Sequence, residues 1–335
     1  MKAFTFVRPT TIDEASKAAA EKGSVLKAGG IDLLDRMKER IDEPDRVVLV
    51  PRPDDDRASH VFVLHHREDI LFVGAMVTLA EIAESADVRR EVPALAEAAG
   101  LAASPQIRAR ATLGGNLFQH TRCGYYRHRS FPCLKRGDDA CPVLDAGAVQ
   151  DNAAIFGNRP CASAHASSLA PVLCAANATA RIARTGEDDV WVSVRELFAA
   201  PRRAVASDVA LPDRATVMRC VEFNTDGQRT GPAAYEEIRQ KAAFDWALAS
   251  CCVRLRRDGD TVRSADVWLG SVAPTPWHAE AAEKALAGKP LTDETIRAAA
   301  EAAVVGATPL PGNAYKVDLV KVVVRRALER LRSAK

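Results

Sequence analysis

Four cysteines in one irregular stretch are the residues best suited to chemistry. Cys123, Cys133, Cys141 and Cys161 follow one another with the spacing C-x9-C-x7-C-x19-C. Four thiolates are the ligand number of an iron–sulfur cluster or of a structural zinc ion. The spacing contains no C-x2-C pair, which zinc ribbons use, whereas a cubane cluster needs only one thiolate for each iron. The pattern therefore favours a [4Fe-4S] cluster and leaves structural zinc as the alternative.

Two glycine pairs are candidates for binding a phosphate group. Gly29-Gly30 stands between a predicted strand and a predicted helix in KAGGIDLL, and Gly114-Gly115 precedes Asn116 in ATLGGNL. Glycine lets backbone amides approach a phosphate closely, and a helix N-terminus adds the positive end of its dipole. Each pair alone is equally compatible with a tight turn, and neither is a G-x-G-x-x-G fingerprint. Two pairs in neighbouring lobes predict a dinucleotide cofactor held between the lobes.

Other residues of the same types have simpler interpretations. Three histidines near the cysteine set could bind metal but are interpreted as packing or surface residues; they are His120, His128 and His165. Basic side chains nearby could offset the charge of a thiolate-bound cluster or simply face solvent; they are Arg122, Arg127, Lys135 and Arg136. The other four cysteines lie in apolar stretches and are expected as small buried residues; they are Cys174, Cys220, Cys251 and Cys252.

The composition is that of a large globular chain with balanced charge. Its 335 residues are 47% apolar and 27% charged, and the net charge is +2. No basic stripe with interleaved aromatic residues occurs, so nucleic acid is not predicted as the main partner. No apolar run reaches the roughly 20 residues that span a bilayer, and the first residues lack the apolar core of a signal peptide. We therefore expect neither membrane insertion nor an export signal in this chain.

Local signals predict helices and strands along most of the chain. Capping boxes at Thr11 and Thr78, each with a glutamate three residues later, predict two helix N-termini. Asp258-Gly259 between two strand-like segments predicts a hairpin. The expected fold class is α+β. The predicted domains are a first lobe over 1–55, a second lobe over 56–225 with an inserted loop at 118–162, and a C-terminal α+β domain over 230–335.

Seven segments follow one another in an order that is specific as a set. They are FVRPTTIDEA, KAGGIDLL, VGAMVTLAEI, ATLGGNL, HASSLAPVL, YEEIRQKAAFDWALAS and NAYKVDLVKVVVRRAL. Together they resemble the FAD-binding subunit of the xanthine dehydrogenase (molybdenum hydroxylase) family over nearly the whole chain. TRCGYYR, FPCLKRG, ACPV and RPCASAH resemble the subgroup whose flavin subunit carries an extra [4Fe-4S] cluster. That subgroup includes bacterial aldehyde oxidoreductases, which FPC-x-KR and PWHAEAAEKAL favour, and 4-hydroxybenzoyl-CoA reductase, which CLKRGDDAC favours.

The resemblance implies a fold, a cofactor and partners. The fold would be a two-lobed FAD-binding unit of the vanillyl-alcohol-oxidase type, followed by a C-terminal α+β domain. A large partner subunit would bind molybdopterin and oxidise the substrate, and a small partner subunit would hold two [2Fe-2S] clusters. Electrons would pass from molybdenum through these clusters to FAD and then to an external acceptor. The chain itself would need no general base or nucleophile, so we predict no catalytic residue in it.

The resemblance also implies site residues. The cysteine set would hold the [4Fe-4S] cluster. The predicted FAD-binding residues are Leu26, Lys27, Ala28, Gly29, Gly30, Ile31, Asp32, Leu33, Thr78, Thr112, Gly114, Gly115, Asn116 and Ser168. Two positions depart from the family's pattern, because Ser168 replaces an aspartate that would contact FAD and Glu237 replaces a lysine near the flavin. Changes of charge at these positions would alter the flavin's potential and its contacts.

The leading hypothesis is an electron-transfer subunit with FAD and a [4Fe-4S] cluster in a heterotrimeric molybdenum hydroxylase that oxidises aldehydes. One alternative is the flavin subunit of a 4-hydroxybenzoyl-CoA reductase-type enzyme, in which the cluster would admit electrons from ferredoxin. The others are a structural zinc-binding assembly module and a stand-alone flavin oxidase. The expected compartment is the cytoplasm, or the periplasm if a partner that bears a signal exports the folded chain.

Overall fold

In the part of the chain that the structure describes, three β-sheets of three, five and four strands are present. The structure is a computed structural model that describes residues 1–51, 64–183, 188–198, 216–226, 231–241 and 244–333.

The first lobe is a small parallel sheet with helices between its strands. Its strands are β1 (Thr5–Val7), β2 (Ser24–Lys27) and β3 (Arg46–Leu49), in the order β1-β3-β2. Helix α1 (Ile12–Ala20) precedes β2, and helix α2 (Ile31–Lys38) follows it. The predicted capping box is confirmed, since the Thr11 side chain accepts a hydrogen bond from the Glu14 amide and Glu14 returns one to the Thr11 amide. Because β2 ends at Lys27, the first glycine pair stands at the N-terminus of α2.

The second lobe is an antiparallel five-stranded sheet in the order β4-β5-β8-β6-β7. The strands are β4 (Leu64–Arg67), β5 (Ile70–Gly74), β6 (Thr179–Ala183), β7 (Val190–Ser193) and β8 (Val217–Asn224). The helices are α3 (Leu79–Glu84), α4 (Ala86–Glu91), α5 (Pro93–Leu101), α6 (Pro105–Arg108), α7 (Leu113–Leu117), α8 (Leu169–Ala175) and α9 (Val194–Phe198). Between α7 and α8 the chain forms two short 3-10 helices, at Leu134–Arg136 and Pro142–Leu144. This irregular segment contains the four cysteines and is called the cysteine loop below.

The C-terminal domain is an antiparallel four-stranded sheet with three helices. Its strands are β9 (Ala233–Arg239), β10 (Ala247–Asp258), β11 (Thr261–Gly270) and β12 (Trp277–His278), in the order β12-β11-β10-β9. Its helices are α10 (Glu280–Leu286), α11 (Asp293–Ala302) and α12 (Tyr315–Ser333). The predicted hairpin joins β10 to β11, and Gly259 in its turn has a φ of 57°.

The C-terminal sheet is buried on both faces, and one of these faces packs against the second lobe. Cys251 packs with the apolar side chains of the C-terminal helices, whereas Cys252 belongs to the core of the second lobe. Adjacent strand residues point to opposite faces, so each of the two cysteines packs in a different core. Cys174 and Cys220 are also fully buried, which confirms the interpretation of these four cysteines as core residues.

The α+β fold class is confirmed by these elements. The domain limits stay predictions, since residues 52–63, which contain the predicted junction of the lobes, and residues 227–230 lie outside the described residues. In the described ranges no helix has the length and apolar character needed to cross a membrane.

Candidate functional site

A cavity of about 890 Å³ lies where the two lobes meet the start of the C-terminal sheet. This volume is typical of a pocket for a sizeable small molecule. Twelve of the fourteen predicted FAD-binding residues line it. They are Leu26, Ala28, Gly29, Gly30, Ile31, Asp32, Leu33, Thr112, Gly114, Gly115, Asn116 and Ser168. The structure therefore brings both glycine pairs to one cavity.

Lys27 and Thr78, the other two predicted residues, are not among the described residues that line the cavity. The Lys27 ammonium donates to the Ala28 carbonyl at 3.2 Å, and burial lowers its pKa. The Thr78 hydroxyl caps helix α3 by accepting from the Glu81 amide at 3.2 Å. The Thr78 hydroxyl thus begins a helix, and a contact of Thr78 with FAD stays a prediction.

The first glycine pair is pressed against the second lobe. A Cβ on Gly29 would lie 1.9 Å from the Arg110 carbonyl oxygen, a distance that no side chain can accept. Gly30 is the N-cap of α2 and has a φ of 86°, a conformation that favours glycine. The first turn of α2 lines the cavity, and its amides have no intrahelical acceptors. An anionic group bound here would find hydrogen-bond donors and a favourable dipole.

The second glycine pair lies in the cavity wall, and both of its amides donate within the protein. The Gly114 amide donates to the Ala75 carbonyl at 2.8 Å, and the Gly115 amide donates to the Thr112 hydroxyl at 3.1 Å. Both amides are therefore used within the protein. A Cβ on Gly114 would lie 3.2 Å from the Ala75 oxygen, so glycine permits close packing of the cavity wall.

Asp32 lines the cavity, but its carboxylate binds arginines. It lies 2.6 Å from Arg127 Nη2, 3.1 Å from Arg36 Nε and 3.1 Å from Arg122 Nη2, and it accepts from the His120 amide at 3.1 Å. Burial acts to raise the pKa of Asp32, but the three guanidinium groups outweigh it and lower that pKa overall. Asp32 thus joins α2 of the first lobe to the start of the cysteine loop.

His120 connects the cavity to the cysteine loop. It lines the cavity, its Nδ1 lies 2.9 Å from the Tyr126 hydroxyl, and the two rings stack with centroids 5.8 Å apart. Burial, with the charge of Arg36, lowers the pKa of His120 to about 3. The imidazole is therefore neutral near pH 7, and its Nδ1 shares one hydrogen bond with the Tyr126 hydroxyl.

The four predicted metal-binding cysteines approach one another within the loop. A hydrogen bond between Cys141 and Cys161 lowers the pKa of Cys161 to about 6 and raises that of Cys141. Burial raises the pKa of Cys123, and the nearby thiols of Cys161 and Cys133 add to this rise. Within the described residues, no group of three or more His, Cys, Asp or Glu side chains is arranged to hold a metal ion.

Buried amide side chains attach the cysteine loop to the C-terminal domain. Asn313 Nδ2 donates to the Ala153 carbonyl at 3.0 Å and to the Ala154 carbonyl at 3.2 Å. Asn158 Nδ2 donates to the Thr308 carbonyl at 2.7 Å. The loop is therefore held by the first lobe at one end and by the C-terminal domain at the other.

Glu237 and Ser168 line the cavity together and are linked through Tyr235. The Tyr235 hydroxyl donates to Glu237 Oε2 at 2.7 Å, and the Ser250 and Ser168 side chains lie near that hydroxyl. Arg239 Nε lies 2.8 Å from the other carboxylate oxygen, Glu237 Oε1. Burial raises the pKa of Glu237, although Tyr235 and Arg239 act in the opposite direction. The two positions that depart from the family's pattern thus belong to one polar network.

Two aromatic residues of the segment YEEIRQKAAFDWALAS, neither of them a predicted site residue, also line the cavity. Phe244 and Trp246 are 67% and 45% exposed, and the guanidinium carbon of Arg122 lies 4.5 Å from the Trp246 ring centroid. Both lie in the irregular segment just before β10, so neither helical nor strand periodicity could have identified them. Their apolar rings suit a flat aromatic group in the cavity.

Comparison with known proteins gives relatives along the whole chain. The family described as "FAD binding domain in molybdopterin dehydrogenase" matches residues 2–213, and "CO dehydrogenase flavoprotein C-terminal domain" matches residues 233–331. The chain is 29% identical over 336 residues to the aldehyde oxidoreductase FAD-binding subunit PaoB of Escherichia coli strain K12. This match covers 99% of each of the two chains. It is 28% identical over 331 residues to the carbon monoxide dehydrogenase medium chain of Hydrogenophaga pseudoflava, which covers 97% of this chain and 96% of the relative.

Solved structures show the same fold. Carbon monoxide dehydrogenase from Hydrogenophaga pseudoflava, in a form that lacks the Mo-pyranopterin moiety of its molybdenum cofactor, matches with a TM-score of 0.73 and 27% identity. That match covers 97% of this chain and 96% of the chain in the solved structure. Quinoline 2-oxidoreductase from Pseudomonas putida 86 matches with a TM-score of 0.74 at 22% identity, covers 99% of this chain and 98% of the other, and supports the fold alone.

Proposed function

Because the chain belongs to the family of FAD-binding domains of molybdopterin dehydrogenases, we propose that it is an electron-transfer subunit carrying FAD and a [4Fe-4S] cluster. A small partner subunit with two [2Fe-2S] clusters would bring electrons from a large molybdopterin-binding subunit, and an external acceptor would remove them. The observation that carries the proposal is that His120 lines the cavity and is hydrogen-bonded to Tyr126, whose backbone amide is hydrogen-bonded to the Cys123 sulfur.

The cavity fits FAD in its donors and in its charge. Gly30 and the first turn of α2 would bind the diphosphate, because this turn has amides without intrahelical acceptors. Asp32 would not repel the diphosphate, since three guanidinium groups surround its carboxylate. Leu26 to Leu33, Thr112 to Asn116 and Ser168 would enclose the cofactor. Bound FAD supplies redox chemistry, and the protein supplies orientation and electrostatics.

The cysteine loop fits a cubane cluster better than a single zinc ion. Cys123 lies near Cys133 and Cys161, and Cys161 is hydrogen-bonded to Cys141, yet no three metal-binding side chains in the described ranges surround one ion position. In a cubane each thiolate binds a different iron, so the four sulfurs are spaced more widely than the ligands of one ion. Cys123, Cys133, Cys141 and Cys161 would be the ligands.

The substrate class of the proposed complex is an aldehyde. This part of the proposal is supported by the name of PaoB, which is similar to this chain over 99% of its length. Oxidation of the substrate would take place in the molybdopterin-binding partner. The chain's own residues would bind, orient and shield the redox groups, which agrees with the expectation that it has no general base or nucleophile.

Metal and flavin analysis of protein prepared without oxygen tests the proposal. We expect a flavin absorption band and about four irons per chain. Cys161→Ser should lose iron and keep FAD, while Cys174→Ser, which changes a buried cysteine of the second lobe, should keep both. One zinc without iron would contradict the cluster, and a colourless chain would contradict both cofactors. Reduction of FAD by ferredoxin but not by aldehyde and partner subunits would favour the reductase alternative.

A further inference from the structure

We infer that Glu237 is a redox-linked acid of the flavin cavity: its carboxylate takes up a proton from solvent when the bound flavin is reduced. The inference rests on the proposed FAD site and assigns a function to a residue within it. The electrons would come from the iron–sulfur groups of the complex, or from dithionite in a test. One proton would be taken up by Glu237 for each two electrons that enter, in addition to the protons taken up by the flavin itself.

Glu237 is buried and belongs to the cavity wall. Its side chain is 4% exposed, and it lines the cavity from strand β9. Oε2 accepts the Tyr235 hydroxyl at 2.7 Å, whereas Oε1 has no hydrogen-bond partner among the described residues. Arg239 Nε lies 2.8 Å from Oε1 but makes no hydrogen bond to it. A buried carboxylate oxygen without a donor is costly, and either a proton or a donor on the ligand would satisfy it.

The charged groups around Glu237 leave it able to change protonation state. Besides Arg239 on its own strand, Glu97 of helix α5 faces it and disfavours the anion. Glu97 is itself held by Arg330 of helix α12 at 2.9 Å. Ser250 lies opposite Glu237 in β10, and Ser168 approaches through Tyr235; both are uncharged. Arg330 also pairs with Glu236 at 2.7 Å, so two arginines, Arg239 and Arg330, face three carboxylates here. Negative charge added next to Glu237 therefore meets no excess of positive charge among these residues.

The physical consequence follows from linkage between charge and protonation. Reduction would add negative charge to the bound flavin, and water screens charge only weakly at the Glu237 side chain, which is 4% exposed. A carboxylate in the same wall is then destabilised, so its proton affinity rises when the flavin is reduced. Reciprocally, the anionic carboxylate makes reduction harder, and loss of this charge makes reduction easier.

The test is the pH dependence of the flavin midpoint potential in the full chain loaded with FAD. One extra proton per two electrons adds about 30 mV per pH unit to the slope. We expect this extra slope in the wild type and not in Glu237→Gln. Glu236→Gln is the matched control, since Glu236 is the neighbouring residue, pairs with Arg330 at 2.7 Å and does not line the cavity within the described residues. Equal slopes in the wild type and Glu237→Gln overturn the inference.

A second variant and a second readout separate this inference from the proposed FAD site. Tyr235→Phe removes the donor to Oε2, so the interval of extra slope should move to higher pH. Without FAD, the wild type should lose stability relative to Glu237→Gln as pH rises through the pKa of Glu237, because burial raises that pKa above 4.5. If the wild type and Glu237→Gln show the same pH dependence of unfolding, Glu237 does not ionise in a buried position. Failure of every variant to bind FAD contradicts the proposed site, while the unfolding comparison still tests Glu237.

Discussion

Asp32→Asn should weaken the junction between the first lobe and the cysteine loop. The substitution keeps the shape of the side chain but removes its charge from among Arg36, Arg122 and Arg127. The Asp32 side chain is 14% exposed, and those of the three arginines are 9%, 20% and 10% exposed. Water therefore screens these charges weakly, and the arginines would be left near one another without their shared anion.

The magnitude follows from the cost of leaving a buried charge without its partner. Removal of one member of a buried ion pair costs about 3–5 kcal/mol. Other carboxylates, among them Asp35 and Glu39 of the same region, still contact the arginines. We therefore expect a loss near the lower limit, about 3 kcal/mol of unfolding free energy.

Urea unfolding of the wild type and the variant at neutral pH measures this loss. Asp35→Asn is the matched control, since Asp35 lies 3.3 Å from Arg122 and 3.5 Å from Arg127 but is 47% exposed. An exposed pair contributes less than about 1 kcal/mol. The arginines lower the pKa of Asp32, so its stabilising effect is complete above the ordinary value of 3.8 and disappears as pH falls further. A loss no larger than that of Asp35→Asn would refute the role assigned to Asp32.

Two further substitutions test the close packing and the buried charge. Gly29→Ala should cost about 1–3 kcal/mol of unfolding free energy and weaken FAD binding, because its Cβ would lie 1.9 Å from the Arg110 oxygen. Gly124→Ala, where no atom lies within 4 Å, should change neither urea unfolding nor an FAD titration. Burial lowers the pKa of Lys316 to about 8. The unfolding free energy of the wild type should therefore rise relative to that of Lys316→Met as pH rises from 8 towards 10.5, by up to about 1.4 kcal/mol per pH unit. A constant difference across that range in pH-dependent unfolding would contradict an ionisable Lys316 in the core.

Features set by neighbouring residues could be predicted without the structure. The capping boxes at Thr11 and Thr78 depend on residues three positions apart, and both form. The hairpin around Gly259 depends on the turn residues and the strands beside it, and it also forms. The four loop cysteines could be identified as a candidate ligand set because their number and their distance from regular structure are visible in one segment.

Roles that depend on distant contacts could not be predicted in the same way. The Gly114 amide donates to the Ala75 carbonyl, which belongs to a different segment of the chain. The glycine pattern names no such partner, so the sequence could not show that this amide is used within the protein.

The amino-acid sequence by itself determined the family, the α+β class and the residue types available for a cofactor, because periodicity, caps and motif order are local properties. Only the tertiary structure decided that Asp32 pairs with arginines of the cysteine loop and that the Glu237 side chain is buried against Tyr235 and Arg239. Strand alternation places Tyr235 and Glu237 on one face of β9, but it does not say what that face meets. Burial and partners come from contacts between residues far apart in the chain, and these contacts set the charge and hydrogen bonding on which function depends.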